Sequence, residues 1–268
     1  MVIPVHDSNP VHRTPVVTYA LILANVVVFL ISPISGLNPD YGSGIARACA
    51  VDSYFREYGA IPRELLSNEQ LPQRPVVVET DRGRVPCPVR RYDKVPFLSV
   101  LFAMFIHGSW LHLIGNMLFL YVFGNNVEDR MGRLRFLLFY LGCGYLATYA
   151  FALVYANSAQ TLVGASGAVA GVLGAYLYLF PRAKVVALLF FIPLRIPAWL
   201  VLGFWFLLQW FSFRGAGVQA EAGVAYFAHV AGFIAGFVYA AMALGRPGPP
   251  RAVRRRDSPY PYDPYGSR

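Results

Sequence analysis

Charged residues are scarce in this sequence. Asp, Glu, Lys and Arg make up 14% of its 268 residues, where a soluble globular protein carries roughly a quarter. Three cysteines make no disulfide framework. Cys143 lies in an apolar run and reads as a small buried residue. Cys49 and Cys87 share one long polar loop and can pair if that loop faces an oxidising space. The spacing alone does not bring the two sulfurs together, so paired and unpaired states both stay open. No CxxC or HExxH pattern offers a metal site, and no cofactor is expected. The first 15 residues are polar, with Pro4, Pro10 and Pro15, and no cleavable signal peptide is expected there.

What fills the chain instead is apolar: 56% hydrophobic and 15% aromatic residues, gathered into stretches near the ~20 residues a helix needs to cross the hydrocarbon core. The expectation is an all-α membrane protein, a six-transmembrane-helix bundle with a long first extracytoplasmic loop. Spans are expected near Val16–Ile34, Ser109–Asn126, Phe136–Ala156, Ser166–Phe180, from about Ala198 to Phe213, and Tyr226–Leu244. The first outer loop, about 37–95, is expected to hold a short helix at Asp52–Tyr58 and a hairpin from Val76–Glu79 and Asp81–Gly83. Val127–Arg135 is a short link, and Val185–Pro197, broken by Pro193 and Pro197, reads as an interfacial connector. Three domains follow: an N-terminal segment 1–15, a membrane domain 16–245, and a basic, disordered tail 246–268.

The net charge of +9 does not imply nucleic acid, because the basic residues sit in short segments beside hydrophobic stretches rather than in an aromatic-laced patch. Arg130, Arg133 and Arg135, the turn Pro181–Lys184 and the tail fall on one side of a six-span layout. The short segments 157–164 and 215–223 fall on the other and carry no Lys or Arg. By the positive-inside rule both termini are cytoplasmic.

Polar groups within spans are costly and are functional candidates by default. Three places qualify: His112 with Asn116, Ser166, and His229. Ser166 lies about 21 Å above the inner end of its helix, His229 about 22 Å and Asn116 about 18 Å, taking 1.5 Å per residue. All fall in one layer below the outer surface. His112 and Asn116 are four residues apart and share a helix face. Small residues around Ser166 (Gly164, Gly167, Gly171, Gly174) and after His229 (Gly232, Gly236) let the two helices approach closely. A serine hydroxyl needs a neighbouring base to become a nucleophile, and an imidazole serves as one. The oxyanion of an acyl-transfer intermediate needs donors, for which the Asn116 amide, the His112 ring and the Ser166 backbone N–H are candidates. Alone, Ser166 would be a helix cap and His229 an interhelical hydrogen-bond partner. Their common depth favours catalysis.

At these residues the sequence resembles the rhomboid family of intramembrane serine proteases. The matching segments are His107-x4-His112-x3-Asn116, Gly164-Ala165-Ser166-Gly167, Ala228-His229-Val230-Ala231-Gly232 and Glu128-Asp129-Arg130-Met131-Gly132, with a weaker echo at Tyr58-Gly59-Ala60-Ile61-Pro62. The resemblance implies Ser166 as nucleophile and His229 as base in a dyad without a carboxylate. It implies His112 and Asn116, with the backbone N–H groups of Ser166 and its neighbour, as the oxyanion hole. Gly164 and Ala165 would border substrate. His107, Glu128, Arg130, Gly232 and Gly236 would be structural. Two departures stand out: the Trp-Arg pair common in the family's first outer loop is absent, and Ala170 replaces a tyrosine that supports the base in some members.

The implied partners are single-span membrane-protein substrates within the lipid bilayer, cut near their outer ends after a small residue, with no metal and no nucleic acid. The basic inner loops suit a bacterial inner membrane. The alternative is a non-catalytic relative that binds membrane clients. A transporter would need carboxylates within the spans, and none of the six carries an interior Asp or Glu.

Overall fold

The computed structural model describes residues 2–75, 77–80, 83–189, 192–216 and 225–245. The expected tail 246–268 lies outside them, as do residues 76, 81 and 82 of the expected hairpin and most of the segment 215–223.

The order is β1 (Val2–Asp7), α1 (Val16–Ile31), α2 (Gly44–Tyr58), α3 (Pro62–Ser67), β2 (Val77–Thr80), β3 (Gly83–Pro86), α4 (Pro96–Ala103), α5 (Trp110–Met131), α6 (Arg133–Val154), α7 (Ser166–Leu179), β4 (Lys184–Leu189), β5 (Ile192–Pro197), α8 (Ala198–Ala216) and α9 (Tyr226–Ala243). Among the described residues α6 and α9 are long and apolar enough to cross a membrane, while α1, α7 and the stretch Ala198–Arg214 of α8 are apolar but shorter. α5 has the length, at 22 residues, but its last turns hold Glu128, Asp129 and Arg130.

The centre is α7. Its composition is almost entirely small or apolar, and Ala168 through Tyr176 are all buried. Large side chains from its neighbours close over it: Phe123 and Leu120 of α5, Phe136 and Tyr140 of α6, and Leu202 of α8 are all fully buried. On the α9 side the small residues let backbone meet backbone, with the Tyr178 ring edge-on to Phe237 as a side-chain contact between the two helices. A Cβ on Gly232 would collide with the carbonyl of Gly167, one on Gly236 with Gly171, and one on Gly174 with the Phe233 carbonyl. The two backbones are in contact, as small-residue stripes permit.

Two corrections concern the polar ends. The molecule is mostly helical but not all-α. The expected connector Val185–Pro197 forms β4 and β5, and the polar N-terminal segment supplies β1 to the same antiparallel sheet, in the order β1-β4-β5. Central β4 has no proline, while Pro4 sits on edge strand β1 and Pro193 and Pro197 on edge strand β5, where a missing N–H need not interrupt a ladder. The link expected at Val127–Arg135 is also helical except for Gly132, whose φ of +80° is left-handed and lets α6 start directly after α5.

This end is tied by polar contacts. Glu128 accepts from the backbone N–H groups of Val17 at 3.0 Å and Thr18 at 2.7 Å, and from Thr18 Oγ1 at 2.8 Å. A carboxylate thereby satisfies the free N–H groups of the first turn of α1, where proline leaves no side-chain cap. Arg130 and Arg135 donate to the last carbonyls of α9, those of Leu244 and Ala243, each at 3.0 Å. Asp7 of β1 accepts from Tyr176 Oη at 2.6 Å and Asn126 Nδ2 at 2.8 Å.

At the opposite end the long loop is ordered around α2, α3 and a two-stranded hairpin, β2 with β3. The expected helix Asp52–Tyr58 is the second half of α2. Cys49 and Cys87 form a disulfide that pins α2 to the residue just after β3. The buried Lys94 ammonium meets Glu64 at 2.7 Å, and burial holds its pKa below the usual lysine value. The loop is stitched to the connection between α6 and α7. Ala60 and Leu162 exchange backbone hydrogen bonds, Arg63 N–H donates to Ser158, and Gly164 N–H donates to the Ala103 carbonyl at the end of α4.

Candidate active site

Ser166 is the first residue of α7, and His229 lies in the first turn of α9. The backbone contact between Gly167 and Gly232 lies one residue after the serine and three after the histidine. It brings Ser166 Oγ to 2.7 Å from His229 Nε2. That is a full hydroxyl–imidazole hydrogen bond.

The other ring nitrogen of His229 is also engaged. Nδ1 lies 2.8 Å from Oε1 of Gln209, on α8. A carbonyl oxygen only accepts, so Nδ1 carries the proton and Nε2 presents its lone pair to the serine. Trp205, one turn earlier on the same face of α8, lays its ring at 6.1 Å centroid distance from the His229 ring and also stacks on Phe233 of α9.

His112 of α5 lies against Gly164, two residues before Ser166. Its Nδ1 accepts from the Gly108 backbone N–H at 3.3 Å, which leaves Nε2 as the protonated, donating nitrogen. Gly164 has φ +122°, a left-handed conformation suited to glycine, and a Cβ there would lie 2.7 Å from His112 Cε1 and Nε2 and 3.7 Å from Ser166 Oγ. The protonated edge of His112 therefore faces the loop beside the serine. Asn116 shares the His112 face of α5, and its Nδ2 is buried without a hydrogen-bond partner. Unpaired buried donors are rare and need explaining. Ala165, the residue before Ser166, is fully buried, as is His107, whose ring packs edge-on to His112 at 5.0 Å.

The structure thus brings Ser166, His229, His112 and Gly164 to one place, with Asn116 on the same side of α5 as His112. Glu128 and Arg130 lie at the far end of the bundle, and Gly232 and Gly236 line the α7–α9 contact. Gln209 was not anticipated. The available signal was a glutamine inside the apolar run of α8, with Trp205 four residues before it. Among the described residues no group of three or more His, Cys, Asp or Glu could hold a metal ion.

A hydroxyl against an imidazole lone pair, beside inward-facing N–H donors, is equipped for acyl transfer, and here it is held between apolar helices. The family carrying this arrangement is identifiable from sequence comparison. The Rhomboid domain model matches residues 96–246, more than half of the chain, so the chain belongs to the Rhomboid family and is an integral membrane protein. Rhomboid protein 1, mitochondrial, of Saccharomyces cerevisiae is 34% identical over 148 residues, covering 53% of this chain and 40% of that protein. RHOMBOID-like protein 6, mitochondrial, of Arabidopsis thaliana is 32% identical over 151 residues, covering 54% of this chain and 43% of the relative. Rhomboid-like protein 11, chloroplastic, also of Arabidopsis thaliana, is 45% identical over 69 residues, covering 26% and 24%. The chain spans less than half the length of each of these curated relatives.

Proposed function

We propose that this chain is an intramembrane serine endopeptidase that cuts transmembrane segments of single-span membrane proteins near their outer ends, after a small residue. The hydrogen bond from Ser166 Oγ to His229 Nε2, at 2.7 Å, carries the reading. Oγ attacks the scissile carbonyl carbon as its proton passes to Nε2. The carbonyl oxygen becomes an oxyanion, taken by His112 Nε2–H, Asn116 Nδ2–H and the backbone N–H groups of Ser166 and Gly167. The unpartnered Asn116 amide fits this assignment, and each such donor lowers the barrier by about 3–4 kcal/mol. The N-terminus of α7 adds its positive dipole end. Collapse of the intermediate expels the amine, which takes the proton from His229. Water, activated by the same imidazole, then hydrolyses the acyl-enzyme.

The proposed frame is a six-span bundle over residues 16–245, built on α1, α5, α6, α7, α8 and α9, with the loop 37–95 outside and both termini inside. The disulfide within that loop supports its facing an oxidising space, and the basic residues after α5 and α7 support the inner assignment. A bacterial inner membrane rests on that charge pattern alone, since the relatives are named as mitochondrial or chloroplastic proteins.

The test is cleavage of a single-span reporter in liposomes by the wild type, Ser166→Ala and His229→Ala, with the cut site mapped. Loss of cleavage in both variants is expected. Undiminished cleavage in both would overturn the dyad. A wild-type chain that neither cleaves nor reacts at Ser166 with a fluorophosphonate would instead leave the family's client-binding role.

A further inference from the structure

We infer that Gln209 is a positioning residue for the base, so that the working unit is Ser166–His229–Gln209, contributed by three helices. The inference rests on the protease reading above. His229 has one ring nitrogen on Ser166 and the other on the Gln209 carbonyl, at 2.7 and 2.8 Å. Only the Nδ1–H tautomer presents a lone pair at Nε2 toward the serine. A carbonyl acceptor on Nδ1 stabilises that tautomer and fixes the rotation of the ring about its Cβ–Cγ bond.

Position on α7 explains why the acceptor comes from elsewhere. Ala170 is one turn below Ser166 and fully buried, so α7 offers no side chain to carry the ring. α8 fills that role with two residues on one face, Trp205 beside the ring and Gln209 at its Nδ1 edge. The amide is also the economical choice in hydrocarbon: a carboxylate would stabilise the imidazolium more strongly, but an ionised group at this depth is costly when the imidazole is neutral. Among the described residues, the other titratable group in electrostatic reach of His229 is His112 of α5, and Ser166 of α7 and Gln209 of α8 are its hydrogen-bond partners.

Because Gln209 belongs to a different helix from Ser166 and His229, the base is poised only while α8 is docked on α9. Trp205 and Phe206 on Phe233 make that docking, while Phe204, Leu207, Leu208 and Phe211 face away from the bundle.

The experiment compares wild type, Gln209→Ala, Gln209→Leu and Gln209→Glu in the liposome cleavage assay, together with the rate of fluorophosphonate labelling at Ser166 and the melting temperature. Alanine and leucine are expected to lower kcat on the order of 10²-fold, the cost of a misplaced catalytic group, with KM little changed and labelling slowed in parallel. Glutamate restores an acceptor and is expected to recover most of the rate, while its charge stabilises the protonated imidazole and moves the acid limb of the rate profile up by about one pH unit or more. A purely structural residue would not move that limb. The inference is overturned if alanine and leucine keep kcat within about threefold of wild type, or if glutamate leaves the acid limb in place. If the alanine and leucine chains do not fold, the glutamate profile alone decides. Wild-type chain inert to both reporter and probe would remove the protease reading itself, and this inference with it.

Discussion

Substituting Gly236 by alanine should separate the two halves of the site without touching either. A Cβ at Gly236 would lie 2.7 Å from Gly171 Cα and 2.5 Å from its carbonyl carbon, whereas carbon atoms rest at about 3.5–4.0 Å. Both neighbours are backbone, so no rotamer change relieves the contact. The helices must part locally by about 1 Å to restore that spacing. Overpacking of this kind costs about 1–3 kcal/mol. The functional consequence is larger. Gly236 stands two turns below His229, and Gly171 stands five residues below Ser166, so parting there carries the serine and the imidazole away from each other. Their 2.7 Å bond would open past the ~3.0 Å expected of a hydroxyl donor, and kcat should fall by about 10²-fold. Gly142→Ala is the matched control, since a Cβ on Gly142 of α6 meets nothing within 4 Å; it should keep full activity. Initial rates of reporter cleavage in liposomes, with melting curves for both variants, provide the readout. Gly236→Ala with wild-type kcat and stability would refute the reasoning, as would equal damage from Gly142→Ala.

Glu64→Gln should destabilise the outer loop by about 3–5 kcal/mol, because it leaves the buried Lys94 ammonium without its counter-charge, holding only the Arg56 carbonyl. Limited proteolysis across residues 61–95 measures the loss, and a Glu64→Leu/Lys94→Met double variant should suffer less than the single one. Asp7 gives a pH signature at the other end. Burial raises its carboxyl pKa above the ordinary 3.8 despite the Tyr176 and Asn126 hydrogen bonds. A raised folded pKa means a stabilising contribution fully present below pH 3.8 and lost as pH rises through the folded value. Asp7→Asn should therefore flatten melting temperature against pH over that window, and an unchanged slope would contradict the assignment.

The helices were largely readable in advance because their limits are marked locally. Ser166–Phe180 stops at Pro181, and α7 ends at Leu179; Tyr226–Leu244 matches α9 to one residue. The sheet was not readable. Val185–Pro197 is as apolar as a span, its prolines argue only against helix, and its partner β1 lies some 180 residues away in sequence. The Cys49–Cys87 pairing is non-local in the same way. The role of Gln209 is illegible in sequence for a related reason: nothing around α8 says which helix its polar face will meet. The depth of a residue follows from helical rise, but its azimuth toward a neighbour depends on where two helices cross.

That distinction bears on how the dyad is registered. Serine and histidine at equal depth do not by themselves meet; two helices at ordinary spacing of about 8–10 Å could hold them out of reach. Contact comes from the pairing of Gly232 with the Gly167 carbonyl, which fixes both the axial offset and the rotation of α9 against α7. The stripe Gly167, Gly171, Gly174 against Gly232, Gly236 repeats the same constraint lower down, so the helices can neither slide nor roll without collision. Above the stripe the constraint passes to the polar loop: Gly164, hydrogen-bonded to Ala103 and pressed against His112, is held by an outer loop that a disulfide and a buried ion pair make rigid. α8, by contrast, meets this end of α9 through side chains: Trp205 and Gln209 on His229, Phe206 on Phe233 and Phe213 on Phe227. A helix docked by side chains can move where a helix docked by backbone cannot. On the protease reading proposed above, motion that admits substrate is therefore expected at α8, and through Gln209 the same motion would loosen the base.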